Sequence, residues 1–212
     1  MTRRPHAAIA SMALALLLLC GCAAATPDAP SAGGTELPGS SVDLDAIPAA
    51  GPVSSWATVL HPEGESPRLC LGGVYDSYPP QCDGPEIAGW DWDAVDAEES
   101  AGGVTWGAYA VTGGWDGLVF ALTSAEASGL YDVTPIDPRT NPAHAGAASD
   151  DLLLRIQEQL HGTASPLHPL GSWPENGYLF VQVIYDDGTV QNWMDSAFGP
   201  EVVVVLSALH DA

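Results

Sequence analysis

Apolar and polar residues alternate from Gly103 to Thr112, with Val104, Trp106, Ala108 and Ala110 on one side and Thr105, Tyr109 and Val111 on the other. A period of two over that length predicts a β-strand. Gly113-Gly114-Trp115-Asp116-Gly117 follows as turn chemistry, and Leu118–Thr123 is the return strand of a hairpin. Upstream, Trp56–Leu60, Arg68–Val74 and Glu86–Trp92 are three shorter strand candidates, separated by Pro62, Gly64 and Pro67 and by Ser77-Tyr78-Pro79-Pro80-Gln81. Each proline forces its predecessor out of helical geometry, so the last of these breaks is a loop. Short strands with Gly/Pro punctuation over residues 54–127 predict a small β-barrel or sandwich.

The pattern changes after residue 148. Leu152, Leu153, Ile156 and Leu160 form a helical stripe behind Ser149 as N-cap, with Asp150 and Asp151 in the first turn and Gly162 as the stop. Tyr178–Tyr185 is apolar on both faces apart from Gln182, as in a central covered strand. Val190, Trp193, Met194, Ala197 and Phe198 make a second helical stripe, with Thr189 as expected N-cap and Gly199 as a left-handed stop. Glu201–Leu206 is another buried strand. Residues 149–212 are thus expected to be a helix-strand-helix-strand unit. The 14 residues between Asp186 and Glu201 just suffice for a parallel crossover, and an antiparallel return is the alternative. The fold class is α+β: a disulfide-pinned β domain, possibly of the oligonucleotide/oligosaccharide-binding barrel type, followed by that unit. Residues 128–148, rich in Pro and Gly, are expected to connect the two.

The N-terminus carries a different signal. Arg3 and Arg4 precede an apolar run, Ala7–Leu19, too short for a comfortable transmembrane helix and suited to a secretory leader. It ends Leu19-Cys20-Gly21-Cys22, similar to the lipobox of bacterial lipoproteins, which implies cleavage after Gly21 and a lipid on Cys22. Cys20 fits less well, because Leu18 and Leu19 stand where small residues are preferred; the alternative is an ordinary secretory signal. A diacylglyceryl group supplies two chains, enough for stable anchoring on the outer face of a cell membrane. Residues 22–53, full of Pro, Gly, Ser and Ala without an apolar period, read as a disordered tether, in which Leu44 and Ile47 offer short apolar spots for local docking.

Charge and cysteines narrow the function. The formal charge of −22 becomes −24 once residues 1–21, with two arginines and no acid, are removed. Arg68, Arg139 and Arg155 are the cations left, and there is no lysine. Such a chain repels phosphate backbones, so nucleic acid is excluded as a partner. Cys70 and Cys82, the one cysteine pair past the leader, are expected to form a disulfide in an exported protein; no Cys-x-x-Cys spacing suggests redox chemistry.

The run C-L-G-G-V-Y-D-S-Y-P-P-Q-C-D-G-P, then G-W-D-W, V-T-W-G-A-Y-A-V-T-G-G-W-D-G and the ending D-S-A-F-G-P-E-V-V-V-V-L-S-A-L resemble a pattern of uncharacterised secreted or lipid-anchored actinobacterial proteins. The resemblance spans residues 56–209 and implies location and architecture without an activity. Trp115 departs from it, standing where Tyr or Phe is expected.

Trp90, Trp92 and Trp115 lie among Asp91 and Asp116, a composition suited to stacking and hydrogen-bonding sugars; packing in the barrel core is the competing reading. The acids from Asp91 to Glu99 fail the EF-hand spacing, since Val95, Asp96 and Gly102 fall at loop positions 5, 6 and 12. No metal site, cofactor site or linear catalytic motif is legible, and no catalytic residue is assigned. The expected function is a lipid-anchored, non-catalytic envelope protein partnered by the membrane through its lipid and by another envelope protein. A cell-wall glycan binder is the alternative, and a hydrolase without a linear motif the third reading.

Overall fold

The structure is a computed structural model and describes residues 37–127 and 137–212. The leader, Cys22, the first part of the tether and residues 128–136 of the connector lie outside the described residues.

Five strands close a barrel: β1 (Val53–Pro62), β2 (Arg68–Cys70), β3 (Glu86–Ala88), β5 (Val104–Trp115) and β6 (Val119–Ala127), with β4 (Glu99–Ala101) added beside the start of β5. Around the barrel the order is β1-β2-β3-β6-β5, and β5 returns to β1 in a ten-residue antiparallel ladder from Val53↔Gly113 to Pro62↔Val104. The β3–β6 pairing is parallel and the rest are antiparallel. This is the five-stranded Greek-key barrel of the oligonucleotide/oligosaccharide-binding type, an architecture that does not by itself name a ligand. The interior belongs to the Tyr109/Val111 face of β5. Tyr109, Val111, Val53, Val59, Leu69, Ile87 and Phe120 are buried there, and Ala108 on the opposite face is exposed.

Several strands depart from their expected limits. Gly113 and Gly114 belong to β5 rather than to the turn, and a bulge falls between Thr112 and Gly113. A Cβ on Gly113 would stand 2.3 Å from Ala121 O, so the glycine permits close strand approach. The turn itself is Asp116-Gly117-Leu118, with Gly117 at φ 100°. The second strand stops at Cys70 instead of Val74, and the third at Ala88 instead of Trp92. Gly89 at φ 83° turns the chain there, placing Trp90 and Trp92 on the loop to β4.

The disulfide is formed. Cys70 and Cys82 have Cα atoms 5.7 Å apart, within the ordinary range. The bridge packs on the outer face of the barrel with Leu60 and Trp106, a small second cluster. Cys70→Ser is expected to cost about 3 kcal/mol by the loop-entropy argument. Paired denaturant melts would read this, and an unchanged midpoint would show that the bridge has no structural role.

The second half contains α1 (Asp150–Leu160), β7 (Gly171–Glu175), β8 (Tyr178–Val183), α2 (Thr189–Phe198) and β9 (Val203–Ser207). Ser149 caps α1 as expected, its hydroxyl accepting from Leu152 N at 3.4 Å, and Leu153, Ile156 and Leu160 are buried. β8 is the central strand of three, antiparallel to β7 and parallel to β9, which settles the crossover as parallel. Thr189 is not the cap of α2. Gly188 holds that position at φ 100°, and the Asp186 carboxylate accepts from Val190 N at 2.8 Å and Gln191 N at 3.2 Å. Gly199 ends the helix at positive φ but with extended ψ, 155°, not in the left-handed helical region.

The described residues share one core rather than two. The final strand, β10 (His210–Asp211), pairs with the start of β1, and the cluster around Tyr109 and Phe120 runs on to Ile156, Leu179 and Met194. Residues 137–148 are packed rather than free. Asn176 Nδ2 donates to Arg139 O and Asn141 O at 2.8 Å each, and Tyr178 OH to His144 O at 3.0 Å.

The second half of the expected tether is also part of the fold. Leu44 is 2 % and Ile47 5 % exposed. Trp115 Nε1 donates to Ile47 O at 2.8 Å, Ala49 N to Trp115 O at 3.0 Å, and Trp193 Nε1 to Pro38 O at 3.2 Å. Asp45 takes a bond from His168 N at 2.7 Å and pairs with His168 Nδ1 at 2.6 Å. Residues 37–52 thus form a strap across the barrel and the α/β half.

Candidate functional site

At one edge of the barrel the β1–β2 loop meets the β4–β5 turn. Glu63 N donates to Gly103 O at 2.7 Å, joining the two. Gly102 and Gly103, at φ 57° and 78°, make the tight turn and leave backbone exposed. Across that turn Ser100 and Thr105 stand opposite each other with their hydroxyls 2.8 Å apart. These elements wall an open groove of about 590 Å³, lined by His61, Glu63, Trp92, Ser100, Val104 and Thr105 among others.

Trp92 reaches this groove because the loop after β3 carries a single 3-10 turn, Trp92–Ala94, capped by Asp91, whose carboxylate accepts from Asp93 N at 3.0 Å. The indole is fixed on two sides. Its Nε1 donates to His61 Nδ1 at 2.9 Å, and the two rings lie 12° from parallel with centroids 6.5 Å apart. An indole N–H can only donate, so Nδ1 accepts and Nε2 carries the proton, which it donates to Glu65 O at 2.9 Å. Behind Trp92, Trp90 packs edge-on at 5.1 Å, and both meet Tyr109, the aromatic filling of the barrel, at 6.1 and 4.8 Å. Burial raises the Tyr109 hydroxyl pKa, and the Glu98 and Asp96 carboxylates raise it further. Trp90 Nε1 is buried without a hydrogen-bond partner among the described residues.

The five residues singled out for ligand binding therefore separate. Trp92 lines the groove. Trp90 supports it from behind at an interplanar angle of 74°, so the two indoles make no flat platform. Asp91 is exposed and spends one oxygen on its cap. Trp115 lies elsewhere, 4 % exposed and bonded to the strap. Asp116 is exposed at the β5–β6 turn, where backbone N–H groups of Val119 and Leu118 hold its carboxyl below the usual range. His61, Glu63, Ser100 and Thr105 were not singled out; the signal for them was Glu63-Gly64 closing one strand and Gly102-Gly103 opening another.

Two other exposed aromatic features stand out. Trp56 is 49 % exposed on the outward face of β1, opposite Ala110. The disulfide loop presents Tyr75 and Tyr78, 67 % and 75 % exposed.

A serine–histidine contact also occurs, with Ser172 Oγ 2.8 Å from His161 Nε2. Gln157 Nε2 donates to the same oxygen at 3.0 Å and to Ser172 O at 2.8 Å. No carboxylate hydrogen-bonds His161 among the described residues, so the third group that orients the imidazole of a catalytic triad is not part of the set. Among the described residues no three His, Cys, Asp or Glu side chains converge as a metal site, and the acids from Asp91 to Glu99 do not gather. Comparison of the chain with protein-family models, with curated proteins and with solved structures returns no match.

Proposed function

We propose that this chain is a lipid-anchored, non-catalytic module on the extracytoplasmic face of the cell envelope, held through Cys22 and presenting its barrel to an envelope partner. The observation that carries the reading is the Cys70–Cys82 bridge, a disulfide of the kind that persists in oxidising compartments, in a chain whose first residues read as a leader ending Leu-Cys-Gly-Cys. The docked strap sharpens it. Packing begins by Leu37, so 14 residues separate the folded unit from Cys22, and even fully extended that stretch spans about 50 Å. The barrel works close to the membrane. Its surface charge keeps it off anionic headgroups.

Cys22→Ala is expected to move the protein from the membrane fraction to the soluble extracytoplasmic fraction. Continued membrane fractionation of the variant would overturn the lipid reading.

The second reading is glycan binding, and the observation favouring it is Trp92. A half-buried indole, fixed by His61, faces a groove whose other groups are a carboxylate, two hydroxyls and exposed backbone. Aromatic face plus hydroxyl-directed donors and acceptors is the chemistry that holds a sugar ring.

A further inference from the structure

The groove does not end at the β4–β5 turn. Gly102, which lines it, also faces the disulfide loop: a Cβ built on Gly102 would lie 3.5 Å from Pro79 Cδ. Next to Pro79 stands Tyr78, three-quarters exposed, its ring edge-on to Trp106 with centroids 5.5 Å apart. Trp106 in turn is buried against the disulfide. One continuous surface therefore runs from Trp92 over the exposed backbone of Gly102 to Tyr78. It carries an aromatic ring at each end, each held by a second aromatic ring.

We infer that this surface binds a neutral polysaccharide chain, with Trp92 and Tyr78 as two separate stacking subsites for sugar rings of the same chain. The inference rests on the glycan reading of the groove and extends it from one ring to a polymer. Charge selects the uncharged class. Glu63 lines the groove, Arg68 at the neighbouring loop is engaged by Glu65 at 2.6 Å, and the chain has a formal charge of −22 without a lysine. An anionic polymer meets repulsion here. A neutral one meets hydroxyls of Ser100 and Thr105, a carboxylate, and unblocked backbone at Gly102 and Gly103. The disulfide holds the second subsite in place, since Tyr78 lies inside the loop that Cys70 and Cys82 close.

The test is calorimetric titration of the full chain with uncharged N-acetylglucosamine oligomers of two to six sugars. Affinity is expected to rise about tenfold between the shortest and the longest oligomer as the second ring is engaged. Tyr78→Ala removes that rise and leaves the disaccharide affinity unchanged, whereas Tyr78→Phe, which keeps the ring, retains the rise. Trp92→Ala weakens oligomers of every length about tenfold or more. Trp56→Ala changes neither, because Trp56 sits on β1 about 17 Å along the strand from His61. Binding without length dependence, or a Tyr78→Ala loss equal for short and long oligomers, overturns the two-subsite inference and leaves the single-ring reading standing. No saturable heat with any oligomer overturns both.

Discussion

Replacing Leu44 and Ile47 by alanine together is expected to take away most of the stability of the folded unit. Both side chains are almost fully buried, in the same core as Tyr109, Phe120 and Leu153. Each truncation of a buried Leu or Ile costs about 2–5 kcal/mol, part transfer and part cavity. The pair therefore approaches the ~5–15 kcal/mol that holds a whole domain. The strap is also tied by polar bonds, from Trp115 Nε1 to Ile47 O and from His168 to Asp45, which alanine at 44 and 47 leaves intact. These bonds keep the chain in position while the apolar contacts are lost, so a cavity forms instead of a repacked surface. Equilibrium unfolding in urea reads the outcome. A loss below about 1 kcal/mol would show that residues 37–52 are a tether lying on the domain and not part of its core.

Tyr109→Ala is the second large effect. Tyr109 is fully buried within the barrel, and Gly107 has no side chain because a Cβ there would meet the Tyr109 hydroxyl at 2.6 Å. Removing the ring is expected to cost about 3–5 kcal/mol. It also withdraws the support on which Trp90 and Trp92 rest, so the groove loses its wall as the barrel loses its filling. The conservative Tyr109→Phe variant separates the two roles of the residue. It keeps the ring, leaves Asp96 O without its 3.1 Å donor, and costs about 0.5–1.5 kcal/mol at neutral pH.

The same variant changes the pH profile. The folded-state pKa of Tyr109 is raised, by burial first and by Glu98 and Asp96 next, so the neutral form is favoured in the fold. Its contribution is fully present below the ordinary tyrosine value near 10 and is lost as pH rises through the folded value. Tyr185 behaves alike, raised by burial and by its bond to Asp211. Wild-type stability should therefore fall on the alkaline side, and Tyr109→Phe should flatten that fall. An equally steep alkaline limb in the variant would assign it to other groups. On the acid side the sign reverses. Asp137, held below the carboxylate range by its bonds from Arg139, contributes above the ordinary aspartate value near 4, and that contribution is lost as pH falls through the folded value.

The elements legible in the sequence are those whose signal is local. The β5–β6 hairpin follows from alternation, α1 from Ser149 and its stripe, and β8 from an apolar run interrupted by Gln182 alone. What escaped depends on partners distant along the chain. β3 is three residues long, and its parallel pairing with β6 joins Ile87 to Phe120, which no period announces. β7 contains Pro174, which argues against a strand; it is tolerated because β7 is an edge of the three-stranded sheet. The strap escaped because Leu44 and Ile47 are isolated apolar residues in a Pro- and Gly-rich stretch, anchored by Trp115 and His168 from far downstream. The start of α2 shows a smaller version of the same limit: Thr189 is the residue a cap rule selects, but Asp186, three residues earlier, holds the free N–H groups.

The site divides in the same way. Trp92 was legible as an aromatic among acids. Its face is set by His61, 31 residues away, and by a backbone bond between Glu63 and Gly103 that brings two loops together. Trp90 and Trp92 on an expected strand would have shared a face. Gly89 at positive φ breaks the strand, sends one ring behind the other, and leaves a groove with one indole in its wall.

The placement of this module on a membrane is the claim on which its function turns, and the mature N-terminus tests it most directly. Intact-mass and N-terminal fragment spectra of the protein extracted from membranes should show a chain beginning at Cys22 with a thioether-linked diacylglyceryl group. A mature chain with an unmodified Cys22, or one beginning beyond it, would contradict the account and leave a secreted barrel with no anchor.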